Sequence, residues 1–325
     1  MNMLRWGIIG TGRISRLFAE ALIKCEGSEP AAVASRTLAK AEAFADKYGF
    51  GKAYGSYAEM AKDKDIDIIY IGTPMSSHYG DAMLCLDNGK SVLCEKSVAL
   101  NTKQCEELID KAKAKGLFFM EAMWMKCRPV YLKAKQWIAE GRIGKIEYIQ
   151  ADFCNFYKYD ENDRLFRADC GGGALLDAGV YPLTMITDML GVPCEVVSRA
   201  HLAHEVDMSN SILLRYKDAY ASVDSGFEVQ NRNNAVIVGE KGSILFGDWF
   251  FCSSEAALLD ENREEVEKAV IPPEINGYEY EIRECERCME SGLTESPLVP
   301  HEGTLAVMRI MDECRRSWGL VYPGE

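Results

Sequence analysis

Several short stretches have residue types and spacing that could do chemistry. Gly10-Thr11-Gly12 follows the apolar run Leu4–Ile9 and precedes a helical pattern from Ile14 to Cys25. Strand, Gly-x-Gly turn and helix, in that order, form the context of a dinucleotide site. Gly10 permits the sharp turn and Gly12 lets the backbone approach a pyrophosphate. The free amides at the helix start, at Arg13 and Ile14, face its charge. Ser15 stands where a third glycine is usual and is small enough for close packing. An isolated Gly-x-Gly is an ordinary turn; its place at the head of a βαβ pattern makes it a nucleotide signal. Ser35-Arg36 follows a second apolar strand, Ala31–Ala34, with no Asp or Glu to accept from a ribose 2′-hydroxyl. Arg36 can instead hold a 2′-phosphate through paired charged hydrogen bonds, helped by Ser35, which points to NADP with NAD possible. Alone, Arg36 would read as a solvated loop residue. Lys96 directly follows the strand Val92–Cys94, where it can bond a substrate hydroxyl and lower the pKa of a neighbouring phenol. Asp177 and Tyr181 are four apart after the run Gly171-Gly172-Gly173, so a helix puts them on one face. A capped helix with a buried tyrosine is the plain alternative.

The elements that must position these residues alternate at first. Strands at Leu4–Ile9, Ala31–Ala34, Ala53-Tyr54, Ile66–Ile71, Val92–Cys94 and Phe118–Met120 are separated by helices at 14–25, 38–48, 57–62, 76–88 and 102–115. That alternation implies right-handed crossovers and a doubly wound parallel sheet, with ligand at the strands' C-terminal ends. Near Glu121 the texture changes. A helix follows Pro129, and strands at 146–151, 212–216, 220–223 and 235–238 carry alternation, with Lys217-Asp218 as a hairpin turn. Helices are expected at 173–190, 278–290 and 301–318. The expected fold is α/β: a Rossmann domain over 1–121, then an α+β substrate and oligomerisation domain over 122–325 with a mostly antiparallel sheet. The C-terminal helix could pack back on the first domain.

Composition narrows the function classes. In 325 residues, 37 Lys and Arg against 50 Asp and Glu leave a charge of −13 with no basic run, a poor match to nucleic acid or an anionic membrane. The apolar start is too short for a signal-peptide core, and no later run reaches membrane-spanning length, which points to a soluble cytoplasmic protein. The 12 cysteines then read as reduced core residues, and Cys285 and Cys288 lack the partners for a metal site. The four histidines, His78, His201, His204 and His301, show no hydrolase or metal spacing, and no metal is expected.

Over nearly its whole length the chain resembles the glucose–fructose oxidoreductase/inositol dehydrogenase/MocA family of NAD(P)-dependent enzymes. Gly10-Thr11-Gly12 resembles the nucleotide loop, and Thr73-Pro74 with His78 the strand-four turn. Glu95-Lys96 resembles the Glu-Lys-Pro motif, whose lysine is catalytic, and Gly171–Pro182 the glycine-rich helix that carries Asp and then His or Tyr. Val299-Pro300-His301-Glu302 and Val321-Tyr322-Pro323 resemble the family's ending. Tyr181 and Glu121-Ala122-Met123-Trp124 are most similar to the branch of dimeric dihydrodiol dehydrogenase and D-xylose dehydrogenase. The resemblance implies hydride transfer between NADP and a carbinol carbon of a sugar, polyol or dihydrodiol. Tyr181 would be the general base, Lys96 its cationic helper and Asp177 a positioning group. Gly10, Gly12, Arg13, Ile14, Ser35, Arg36, Thr73, Pro74, His78, Glu95 and Lys96 would hold the cofactor, and Trp124 and Phe153 would line the substrate pocket. It also implies a homodimer or homotetramer built on the second sheet. Ser97 departs from the motif's proline, Met75 from a commoner asparagine, and Lys126-Cys127-Arg128 from the branch's Arg-Phe-Phe. Two rivals share the fold: a redox-assisted NAD-dependent glycosidase, and a nucleotide-sensing regulator that would not need Lys96, Asp177 and Tyr181 together.

Overall fold

Short runs with a continuous apolar centre suit a sheet covered on both faces, and the N-terminal strands have that character. In the computed structural model, which describes residues 3–323 and 325, all four residues of Ile68–Ile71 and all five of Ser91–Glu95 are buried. The elements run β1 (Leu4–Ile9), α1 (Arg13–Leu22), β2 (Ser28–Ala34), α2 (Leu38–Tyr48), β3 (Lys52–Tyr54), α3 (Tyr57–Ala61) and β4 (Ile68–Ile71). They continue with α4 (Met75–Asp87), β5 (Ser91–Glu95), α5 (Thr102–Lys115) and β6 (Phe119–Ala122). The strands form one parallel sheet, as the alternation predicts, in the order β3-β2-β1-β4-β5-β6. Its order reverses beside β1, which places a ligand crevice at the C-terminal end of that strand. Local signals set the helix ends: the Asn101 side chain accepts from Gln104 N at 2.9 Å, and Gly116 closes α5 at φ 63°.

The second sheet follows α6 (Pro129–Ala139). It is built from β7 (Ile146–Cys154), β8 (Glu195–Ala203), β9 (Val206–Arg215), β10 (Tyr220–Gly226), β11 (Ala235–Gly239), β12 (Gly242–Phe246), β13 (Glu255–Asp260) and β14 (Glu265–Val270). Its order is β14-β13-β12-β11-β7-β10-β9-β8; every pair is antiparallel except β7 with β10. Strands β8, β12, β13 and β14 were not expected from sequence. β8 and β14 are edge strands whose exposed, charged positions blur the alternation, as suits an edge that must not pair further. Between β7 and β8 lies α7 (Val180–Leu190), preceded by a π-helical turn, Leu175–Gly179, inside the stretch expected to be regular helix. The chain ends with α8 (Glu279–Glu290) and α9 (His301–Trp318).

Two compact units result: Met1–Trp124 with Pro273–His301, and Met125–Pro272 with Glu302–Glu325. The sequence reading gave everything after residue 121 to the second domain, whereas the segment carrying α8 belongs with the first. Its buried Ile282, Cys285 and Cys288 show that α8 needs a core, but their spacing does not say which. In the first unit Asn276 Nδ2 donates to Leu17 O at 2.9 Å, tying the segment to α1. There Phe18 stacks on Tyr70 at 3.7 Å with Trp6 beside it, three fully buried side chains worth about 1.5–3 kcal/mol each. All 12 cysteines are free thiols.

Candidate functional site

In the first unit, β1 ends at Ile9 and the chain turns at Gly10 with φ +97°; a Cβ there would lie 2.9 Å from Gly72 O. Only glycine fits that turn without strain. Gly12 N-caps α1, and no side chain caps the helix, so its first amides are left to an anion. A Cβ on Gly12 would meet nothing closer than Gly72 O at 4.0 Å, so the approach to the backbone is open. Ser15 is fully buried, and a Cβ on Gly72 would collide with its hydroxyl, which accounts for a small residue at this position.

A cavity of about 710 Å³ opens on this turn. Gly10, Gly12, Ser35, Arg36, Thr73 and Pro74 line it together, and so do three cations that sequence reasoning missed: Arg16, Lys40 and Lys47. No Asp or Glu is among its lining residues. The available signal was Lys40 and Lys47, seven apart and so on one face of α2, with Arg36 just before that helix. Arg13 and Ile14 open α1 without lining the cavity. Behind its wall, burial pushes the Asp81 carboxyl up against the pull of the Thr73 hydroxyl, which donates to it at 2.7 Å, and of the Arg36 charge. The residues present fit a dinucleotide: a turn with glycine at Gly10 and Gly12, helix-start amides without a side-chain cap, and a cationic far end.

His78 does not line the cavity either. It is buried on α4, with Nδ1 2.8 Å from Ser97 O and Nε2 2.9 Å from Thr73 O, and so ties the turn after β4 to the segment after β5. Glu95 ends β5, accepting from Tyr70 Oη at 2.6 Å and from Lys96 N at 3.3 Å. Lys96, half-exposed, stands at the sheet's C-terminal edge, and the Lys96–Ser97 peptide is cis. Close by, Glu281 of α8 is fully buried with neither carboxylate oxygen hydrogen-bonded; burial and the Glu95 charge hold its carboxyl well above the usual range. Trp124 ends this stretch of the unit, stacked on Tyr278 at 4.7 Å and 13°.

The second unit carries the other candidates. Asp177 sits in the π-helical turn and accepts from Arg164 Nη1 at 3.0 Å. Tyr181, in the first turn of α7, is buried among aromatic rings: Phe251 stacks on it at 4.7 Å and Phe153 lies 5.9 Å away. Trp249 packs edge-on to both phenylalanines. Phe251 and Trp249 were not picked out from sequence because they come from the segment between β12 and β13, remote along the chain. The π-turn modifies the simple four-residue helical spacing: Asp177 lies within it and Tyr181 just beyond it in α7, so the two straddle a change of helical pitch. Lys126, where the branch has arginine, is buried and pairs with Asp188 of α7 at 2.8 Å. Against the upward push of burial, Lys126 and Lys135 hold the Asp188 carboxyl below its usual range.

Residues 4–123 match the model of the oxidoreductase family with NAD-binding Rossmann fold, GFO/IDH/MocA, and residues 131–245 match its C-terminal domain. The chain belongs to this family and is an NAD(P)-binding oxidoreductase, a dehydrogenase or reductase acting on CH–OH groups. It is 36% identical to trans-1,2-dihydrobenzene-1,2-diol dehydrogenase of Xenopus tropicalis, across 98% of this chain and 99% of that one. Identity to the Homo sapiens enzyme of the same name is 33%, across 98% of each chain. Among solved structures, the 3-ketoreductase KijD10 of Actinomadura kijaniata, in complex with NADP and TDP-benzene, is similar with a TM-score of 0.86 and 27% identity, covering 97% and 98% of the two chains. Levoglucosan dehydrogenase, in complex with NADH and levoglucosan, shares the fold with a TM-score of 0.88 at 20% identity, covering 98% of this chain and 97% of that one. Among the described residues, no helix is long and apolar enough to cross a membrane, and no group of three or more His, Cys, Asp or Glu could hold a metal ion.

Proposed function

We propose that this chain is a cytoplasmic, NADP-preferring dehydrogenase that interconverts a carbinol and a carbonyl on a small sugar, polyol or dihydrodiol. The observation that carries the reading is the cleft at the Gly10 turn, edged by Arg16, Arg36, Lys40 and Lys47 and free of lining carboxylates. A 2′-phosphate gains charged hydrogen bonds in such a cleft, whereas a bare ribose finds no carboxylate to accept from its hydroxyls. The bound nicotinamide supplies the hydride chemistry. The protein's own work is proton handling and orientation. Tyr181 takes the proton of the substrate hydroxyl and returns it in the reductive direction. Lys96 orients that hydroxyl and supplies the cation that a phenol of ordinary pKa, about 10, needs to act near neutrality. Asp177, balanced by Arg164, positions the substrate, and the rings of Phe153 and Trp249 exclude water around the phenol. A second copy of the chain covers the open face of the second sheet, where Val197, Leu213 and Tyr220 stand exposed on one side.

Tyr181→Phe tests the assignment with trans-1,2-dihydrobenzene-1,2-diol and NADP. Turnover should fall by about 10²–10⁴ with NADPH affinity unchanged. Full turnover in the variant would remove Tyr181 from the proton transfer.

A further inference from the structure

Two neighbouring strands of the second unit carry a buried polar chain for which the proposed chemistry has no use. Asp207, on β9, has no exposed surface. Its Oδ2 accepts from the Leu175 amide at 2.7 Å and from Asn210 Nδ2 at 2.8 Å. Asn210 Oδ1 accepts in turn from Ser225 Oγ at 2.9 Å, across the β9–β10 pair in which these two residues are opposite each other. Ser225 Oγ would lie 2.9 Å from a Cβ on Gly179. Leu175 and Gly179 are the first and last residues of the π-turn. Asp207 therefore grips one end of that turn, and Ser225 packs against the other.

The approach to the turn is held by the same group. A Cβ on Gly173, whose φ is +110°, would collide with Asp207 Oδ1 and come within 2.9 Å of Tyr322 Oη. The Tyr322 hydroxyl donates to Gly172 O, so the glycine run is clamped between β9 and the C-terminal residues. A helix start leaves its first amides without intrahelical partners, and here a buried carboxyl takes one of them.

We propose that Asp207 is a positioning residue: through the Leu175 amide and the Asn210–Ser225 chain it sets the angle at which the π-turn presents Asp177 and Tyr181. This rests on the reading of Tyr181 as the general base. The cost of keeping a carboxyl there is visible, since burial pushes it up to about 7 against the pull of the two donors. An apolar residue at 207 would avoid that cost and leave the Leu175 amide and Asn210 unsatisfied.

Asp207→Ala, Asp207→Asn and Tyr181→Phe, compared in the full-length protein, test the proposal. Amide hydrogen exchange is followed together with kcat, KM and NADP affinity, using trans-1,2-dihydrobenzene-1,2-diol as the probe substrate. Asp207→Ala should speed exchange at residues 174–181 above the rest of the unit. Its kcat should fall on the order of 10²-fold, as an ångström-scale misplacement does, with NADP affinity unchanged. Asp207→Asn keeps an acceptor for both donors and should restore both readouts. If Asp207→Ala fails to fold, Ser225→Ala, which removes one link, should show the same local change at smaller size. Exchange confined to wild-type rates, exchange rising evenly across the unit, or an Asn variant as impaired as the Ala variant would each overturn the proposal. A dead Tyr181→Phe beside a fully active Asp207→Ala overturns the positioning role alone; a fully active Tyr181→Phe overturns the reading of the base.

Discussion

Asp207→Asn also separates hydrogen bonding from charge at the foot of the π-turn, and the pH dependence of stability measures the difference. In the folded chain burial pushes the Asp207 carboxyl up to about 7, while Asn210, the Leu175 amide and the Arg315 charge pull the other way. The charged or titratable groups around it are Arg315, Tyr322 and Cys314, and each is shifted upward, away from this window. An unfolded Asp titrates near 3.9. Between about pH 4 and pH 7 the folded state therefore binds more protons than the unfolded state, and stability falls as pH rises. The slope reaches about 1.4 kcal/mol per pH unit, and about three units give a total on the order of 4 kcal/mol, complete above pH 7. Asparagine carries no such charge. Urea unfolding of wild type and Asp207→Asn at pH 5, 6, 7 and 8 should show the variant gaining on wild type up to pH 7 and holding its gain at pH 8. A constant difference across the four pH values would refute the reasoning, because the carboxyl would then carry the same charge folded and unfolded.

Arg36→Ala should weaken NADP binding by about 10- to 100-fold, the worth of a charge-assisted hydrogen bond or two, and leave NAD binding unchanged; calorimetric titration with both nucleotides checks it. An equal loss for both nucleotides would remove Arg36 from the 2′-phosphate. Glu281→Gln places a neutral isostere beside Tyr70, in place of a carboxyl that burial and the Glu95 charge hold well above the usual range. Wild-type stability should fall as pH rises above the ordinary carboxylate range, so the variant should gain in Tm relative to wild type between pH 5 and pH 8. Equal Tm shifts at the two pH values would show that Glu281 does not change protonation on folding.

Much of the first unit is local and was legible. Helices α2 and α5 fall at the residues their patterns mark, because caps such as Asn101 and glycines such as Gly49 and Gly116 act within a turn of the chain. The Gly10 turn is equally local, since its geometry follows from what one residue lacks. Buried strands announce themselves by composition, and their alternation with helices implies right-handed crossovers, so the doubly wound parallel sheet was legible while the strand order came from the tertiary structure. Ser35 and Arg36, which line the cleft, were picked out by the same logic, from the position of a strand end.

The tertiary structure decided what depends on partners distant in the chain. Strands β12 to β14 became strands by pairing with neighbours, since hydrogen bonds to another strand, not the sequence within each, define them. The allegiance of α8, the ring of aromatics around Tyr181 and the Glu95–Tyr70–Glu281 cluster all join segments that no spacing rule connects. The π-turn belongs with these. Leu175–Gly179 reads as regular helix, and its altered pitch goes with a carboxyl 32 positions onward that takes its first amide. Local sequence determined which residues could do chemistry. Burial and long-range hydrogen bonding decided how they are held, because both are properties of the neighbours a residue acquires only when the chain has folded.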